Sequence, residues 1–133
     1  MSARVVVLDA SVGVKWFRNE RGSDGARDLL RQHGAGAVRI VVPSLFFYEV
    51  IDVARRHFGA DAARRVWRAL AADELAVSNP DAELLDRTVE IAAALGCTLY
   101  DAAAPALAER LGCELVSADR KAHGAVSGVV LIA

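Results

Sequence analysis

The sequence predicts an α/β domain, a mostly parallel sheet covered by helices on both faces. Three observations carry that expectation. Short β-branched runs recur along the chain and are continuously apolar rather than alternating, as suits strands buried on both sides. The longer segments between them place apolar residues at helical spacing. The length, 133 residues, is that of one ordinary domain, so 1–133 reads as a single unit around one core. Strands separated by helices give a parallel sheet with right-handed crossovers.

The elements follow in order. Val5-Val6-Val7-Leu8 is the first strand. The opening Met1-Ser2-Ala3-Arg4 before this run has the look of a signal peptide, but the run is too short and Asp9 interrupts it. Arg39-Ile40-Val41-Val42 is the second strand and ends at Pro43. Residues 44–57 form a helix with Ser44 as its N-cap. Residues 60–74 form another, with Ala63, Val66, Trp67 and Leu70 together and Arg64, Arg65 and Arg68 outside or at the margin. Leu75-Ala76-Val77 is a weak third strand before Asn79-Pro80. Residues 81–95 align Leu84, Leu85, Thr88, Ile91, Ala92 and Leu95 on one face, and Gly96 ends that helix. Residues 101–111 align Ala104, Leu107, Ala108 and Leu111, and Gly112 ends it. Glu114-Leu115-Val116-Ser117 and Val129 to Ile132 complete the sheet.

Composition excludes several classes. Apolar residues at 54% and charged residues at 25% exclude disorder. Sixteen basic against 17 acidic residues give a net charge of −1, which excludes a polybasic coat or a membrane binder driven by bulk charge. No run approaches the ~18 apolar residues of a membrane span, so no membrane partner and a cytoplasmic location are expected. Cys97 and Cys113 cannot form a disulfide framework or a four-ligand zinc site, and they read as free buried thiols.

Most acids sit at polar positions of amphipathic helices. Four do not. Asp9 and Asp119 each follow a strand directly, and ligands of open α/β sheets bind outside the carboxyl ends of strands. Each could instead be a helix cap or a turn residue. Asp101 stands in Thr98-Leu99-Tyr100-Asp101, which has the form of a capping box. Glu49 lies among large apolar side chains in Leu45-Phe46-Phe47-Tyr48-Glu49-Val50, with no Lys or Arg at i±3 or i±4. Either a distant base pairs with it or it faces an acidic cleft that holds a cation. If the four converge, unit charges ~4 Å apart repel by about 4 kcal/mol at an effective dielectric of ~20, and a hard divalent ion removes that cost. His33, His57 and His123 have no ligand spacing, which argues against zinc. The chemistry expected of such a site is metal-assisted phosphodiester hydrolysis.

These acids, in this order, carry a resemblance. The matching stretches are Val7-Leu8-Asp9-Ala10-Ser11-Val12 with Lys15-Trp16-Phe17, Pro43-Ser44-Leu45 through Tyr48-Glu49-Val50, Leu99-Tyr100-Asp101-Ala102, Leu107-Ala108-Glu109-Arg110-Leu111-Gly112-Cys113, and Leu115-Val116-Ser117-Ala118-Asp119-Arg120-Lys121. The chain resembles the PIN-domain ribonucleases, most closely the VapC-type toxins of toxin–antitoxin pairs. The resemblance implies a three-layer α/β/α sandwich with about five parallel strands in the order 3-2-1-4-5. It implies an endoribonuclease with a Mg²⁺ or Mn²⁺ cofactor, inhibited by a cognate VapB-like antitoxin. It implies that Asp9 and Asp101 bind the metal, that Asp119 does so directly or through water, and that Glu49 orients water. Ser11 and Ser117 match hydroxyl positions beside the acids.

One departure stands out. Asp101-Ala102-Ala103 continues as Ala104-Pro105 where the family carries a bulky apolar pair, and proline inside a helix should kink it. Two alternatives therefore stay open. One is a catalytically inactive binding module that keeps the fold. The other is an aspartyl-phosphate phosphotransfer protein using Asp9 as acceptor, against which Ser11 stands where a dehalogenase-like enzyme wants a second Asp.

Phe46, Phe47, Phe58 and Trp67 concentrate between strands two and three, where the core takes at least two and the resemblance suggests a homodimer interface or antitoxin groove for others. Arg55, Arg56, Arg64, Arg65 and Arg68 read as a solvated face with local ion pairs. Lys15, Arg18, Arg120 and Lys121 follow the strand-end aspartates and are the expected RNA-phosphate contacts. Setting the four site acids aside leaves 13 acidic against 16 basic residues, so the net charge does not exclude an RNA substrate.

Overall fold

The computed structural model describes residues 3–132, so Met1, Ser2 and Ala133 lie outside the described residues. Five strands, β1 (Arg4–Leu8), β2 (Val38–Pro43), β3 (Ala76–Ser78), β4 (Glu114–Ser117) and β5 (Val130–Leu131), form one sheet. All pairs are parallel and the order is β3-β2-β1-β4-β5, as expected. Seven helices surround it: α1 (Ala10–Val14), α2 (Ser23–Gly34), α3 (Leu45–Phe58), α4 (Ala60–Ala72), α5 (Ala82–Leu95), α6 (Leu99–Leu111) and α7 (Arg120–His123). β1 is central, with Val7 opposite both Val41 and Leu115. The chain winds one way from β1 to β2 and β3 and the other way to β4 and β5, so β1 and β4 meet at a topological switch point.

Alternation along β1 divides the core. Val6 and Leu8 pack with Ile40, Val42, Trp16, Phe46, Val50 and Leu70, the side of α1, α3 and α4. Val7 packs with Val41, Leu115, Leu84, Ala104, Leu107 and Ala108, the side of α5 and α6. Burying each such Val or Leu fully contributes roughly 1.5–3 kcal/mol. The first side is filled by aromatics. The second is lined by alanines, which lets α6 lie close to the sheet.

Gly13 sets the approach of α1 to α3. A Cβ there would stand 2.5 Å from Phe46 Cζ and 3.0 Å from Val50 Cγ2. Gly96 and Gly112 end α5 and α6 at φ of 66° and 62°, the left-handed stop read from the sequence.

Several expectations change. α2 has no strong apolar stripe and was not expected; only Ser23 and Ala26 of it are buried. Ser44 occupies the N-cap of α3 without a side-chain bond, because its backbone is already helical at φ −58° and ψ −31°. Trp67 is 51% exposed rather than core. α6 runs as one helix through the buried Pro105. Both cysteines are free but only half-buried. Among the described residues no single helix is long and apolar enough to cross a membrane.

Candidate active site

The carboxyl edge of β1 and β4 places two of the four acids. Asp9 leaves β1 through an Asp9 N–H bond to the Val116 carbonyl at 3.0 Å. Its carboxylate caps α1, accepting the Ser11 N–H at 3.0 Å. Asp119 does the same after β4, accepting the Ala122 N–H at 3.0 Å as the N-cap of α7. The capping role weighed for these residues holds, and each also keeps a carboxylate at the sheet edge.

The serines join the two loops. Ser11 Oγ accepts the Ala118 N–H at 3.0 Å and lies 3.4 Å from Ser117 Oγ. Ser117 Oγ accepts the Asp119 N–H at 3.1 Å. A residue pair 106 apart in sequence thus fixes the spacing of the two strand-end loops.

Asp101 comes from the first turn of α6. Thr98 Oγ1 accepts the Asp101 N–H at 3.0 Å, so half of the expected capping box forms. The Asp101 carboxylate makes no return bond among the described residues, which leaves it for the cleft. Glu49 on α3 faces the same cleft. It has no salt bridge or hydrogen bond among the described residues, so of the two environments open to it the acidic cleft is the one present. Its pKa is pushed up to about 7, first by burial and then by the negative charges of Asp9 and Asp101. Those charges tie three of the four acids into one electrostatic unit. All four are half-buried.

The donor set is carboxylate oxygen alone, the chemistry that a hard divalent cation takes. Among the described residues no three His, Cys, Asp or Glu groups stand close enough to hold one ion together. The arrangement fits an ion held by one or two carboxylates with waters completing its shell, the habit of Mg²⁺.

The basic residues divide. Lys15 is a correction: it is 7% exposed, and its Nζ donates to the Arg21 carbonyl at 2.6 Å and to Glu20 at 3.2 Å. Its ammonium ties down the segment after α1 and is not available to a phosphate. Arg18 is half-exposed beside Glu20 at 3.8 Å. Arg120 and Lys121 are exposed on the short helix that Asp119 caps, with no ion-pair partner among the described residues. Arg55 and Arg56 pair with Asp52, and Arg64 with Asp61, which is the local pairing expected of that helix face.

Sequence reasoning missed His123. It set the histidines aside for lack of ligand spacing, yet His123 is fully buried and both its ring nitrogens are bonded within this site. A readable signal was present, since Pro105 lies four residues after Asp101 and leaves that carbonyl without its helical donor.

The fold and the edge define an α/β/α protein with Asp9 and Asp119 at the switch point of a parallel sheet and Glu49 on a flanking helix, close enough to Asp9 and Asp101 to feel their charges. The PIN domain family model matches residues 6–126, and the chain belongs to that family. A search of the curated proteins finds no match. Among solved structures the chain is similar to a toxin–antitoxin complex from Klebsiella pneumoniae, at 20% identity and TM-score 0.74, covering 96% of this chain and 98% of that one. It is similar to the sarcin–ricin loop cleaving toxin VapC20 of Mycobacterium tuberculosis, at 15% identity and TM-score 0.74, covering 94% and 96%. It is also similar to VapBC2 from Rickettsia felis bound to a promoter DNA fragment, at 14% identity and TM-score 0.72, covering 96% of each chain. At these identities the likeness is one of fold.

Proposed function

We propose that this protein is a metal-dependent endoribonuclease, the toxin of a toxin–antitoxin pair, with Asp9, Glu49, Asp101 and Asp119 as its active site. The observation that carries the reading is Glu49, a carboxylate without a cationic partner among the described residues and raised to about 7 beside Asp9 and Asp101. A site that concentrates uncompensated negative charge is suited to a divalent cation. Bound there, Mg²⁺ or Mn²⁺ supplies a lowered pKa for a coordinated water and screening for the charge that builds on the phosphate.

The chain's own residues do the rest. Asp9 and Asp101 would hold the ion, and Asp119 would reach it through water. Glu49, facing the cleft beside Asp9 and Asp101, would orient the attacking water and accept its proton. Ser11 and Ser117 keep the two strand-end loops in register. Arg120, Lys121 and Arg18 meet the RNA backbone.

An antitoxin partner is supported by a groove between α3 and α4. It is lined by Tyr48, Ile51, Ala63 and Trp67, edged by Asp52, Arg55 and Arg64, and reaches Glu49. A segment seated in it would cover the site. The folds similar to this one include structures determined as toxin–antitoxin complexes. Phe58 and Trp67, both more than half exposed, leave apolar surface for a homodimer, which light scattering at micromolar concentration tests. The inactive-module alternative rests on Pro105, which lies inside α6, and an absence of Mn²⁺ binding in calorimetry would favour it.

Purified protein should cleave RNA in Mg²⁺ or Mn²⁺, stop with EDTA, and lose cleavage on Asp9→Asn while keeping its fold. Wild-type rates from Asp9→Asn would sink the assignment. Sequencing RNA ends after induction of wild type and Asp9→Asn identifies the target.

A further inference from the structure

In an α-helix each N–H donates to the carbonyl four residues earlier. Pro105 has none to give, so the carbonyl it leaves without a helical partner is that of Asp101. His123 supplies the donor. Its Nε2 lies 2.6 Å from the Asp101 carbonyl oxygen, and its Nδ1 lies 2.6 Å from Ser117 Oγ. The ring is fully buried.

The proton positions follow from the partners. A carbonyl only accepts, so Nε2 carries the proton. Ser117 Oγ takes the Asp119 N–H on one lone pair and faces Ser11 Oγ with the other. Its own proton goes to Nδ1. Ser11 Oγ in turn accepts the Ala118 N–H. His123 also closes the turn of α7, its N–H bonded to the Asp119 carbonyl at 2.9 Å. One imidazole therefore grips the backbone of the acid on α6 and, through Ser117, the loop that aims the acid after β4.

We propose that His123 is a positioning residue that sets the separation of Asp101 and Asp119 across the cleft, and that Pro105 makes the Asp101 carbonyl available to it. The proposal rests on the reading of these carboxylates as the metal site. His123 touches neither metal nor substrate and acts through Asp101 and Ser117, as groups that orient metal ligands do. A proline that would weaken an ordinary helix here exchanges an internal bond for one that crosses the site.

The test has three parts on the full chain. Long-range ¹H–¹⁵N spectra of the metal-free protein should show His123 as the Nε2–H tautomer, and the Nδ1–H tautomer overturns the proposal. Calorimetric titration with Mn²⁺ should show His123→Leu weakening binding about tenfold or more, the effect expected of a ligand-orienting group. His123→Gln, which offers an N–H to the same carbonyl, should recover most of that loss, and it also serves if the Leu variant does not fold.

The decisive measurement is the cycle with Pro105→Ala. An alanine gives position 105 its N–H, so the Asp101 carbonyl regains its helical donor and His123→Leu should cost clearly less Mn²⁺ affinity there than in wild type. Equal losses in both backgrounds, with Asp9→Asn inactive, overturn the positioning role alone. Failure of the wild type to bind Mn²⁺ overturns the site reading and this inference with it.

Discussion

Asp9 and Asp119 end strands, while Glu49 and Asp101 ride on helices, and the two pairs are held in opposite ways. Each strand-borne acid accepts a backbone N–H as a helix cap. Each helix-borne acid is aimed through the placement of its helix, and its carboxylate has no hydrogen-bond partner among the described residues. The strand-borne acids are therefore set in place by local backbone geometry, whatever else the cleft contains. Burial, and after it the charges of Asp9 and Asp101, raises the pKa of Glu49 to about 7. A site of this design keeps half of its carboxylates fixed by the backbone and leaves the other half free of hydrogen bonds among the described residues.

The largest expected effect removes charge from the fixed pair without removing the cap. Asn caps a helix as well as Asp does. Asp9→Asn should therefore leave the melting temperature nearly unchanged while cleavage falls by roughly a thousandfold, about 4 kcal/mol of barrier. Asp119→Asn should lose about 10–100-fold, in keeping with binding partly through water. Equal losses at the two positions would erase the distinction between them.

The next effect moves the two pairs relative to one another. Gly13→Ala forces a Cβ against the fully buried Phe46 on the helix that carries Glu49. Alanine regains roughly 1 kcal/mol of helix propensity, but overpacking of this kind costs about 1–3 kcal/mol, so chemical denaturation should show a net loss. Cleavage should fall with it, because Asp9 and Glu49 are pushed apart.

A smaller effect reads the pKa of Glu49 directly. Its folded pKa, about 7, lies above the ordinary 4.5. Between those values the folded state holds a proton that the unfolded state has released. The metal-free protein should then lose stability as pH rises from 4.5 to 7, by about 2 kcal/mol after allowance for partial exposure. Glu49→Gln should flatten that slope, and Mn²⁺ should oppose it in wild type only. A wild-type profile that stays flat would mean that Glu49 is neither buried nor close to the other acids.

The smallest effect lies away from the site. Asp81 caps α5 through the Leu84 N–H and accepts two bonds of 2.8 Å from Arg110 of α6, which hold its pKa down to about 2. That contribution is complete above the ordinary 3.8 and is lost as pH falls through 2. Arg110→Ala should remove it with a small, salt-sensitive drop in melting temperature that fades near ~1 M salt.

Much of this was legible in the sequence because it is local. Continuous β-branched runs marked β1, β2 and β4, Gly96 and Gly112 marked helix ends, and an aspartate after an apolar strand marked the site edge. What was not legible depends on partners distant in the chain. Lys15 reads as an exposed base until Glu20 and the Arg21 carbonyl enclose it. Trp67 sits at a core position of its helical period but lies over a groove. α2 buries too little apolar surface to announce itself. His123 has no motif, and its role exists only because α6 and α7 meet. Pro105 signalled a defect whose repair lies 22 residues from Asp101.

The order of the sheet also has a temporal consequence. β1 lies at the centre, and its partner β4 is reached only after β2, β3 and six helices have been made. Chains fold from the N-terminus as they are synthesised, and pairing across so long a separation comes late. A nascent chain that has folded as far as α5 owns Asp9 and Glu49 but lacks Asp101, Asp119, Ser117 and His123. The carboxylates at the sheet edge are therefore brought together only when β4 and α7 join the sheet, so the proposed site is completed last.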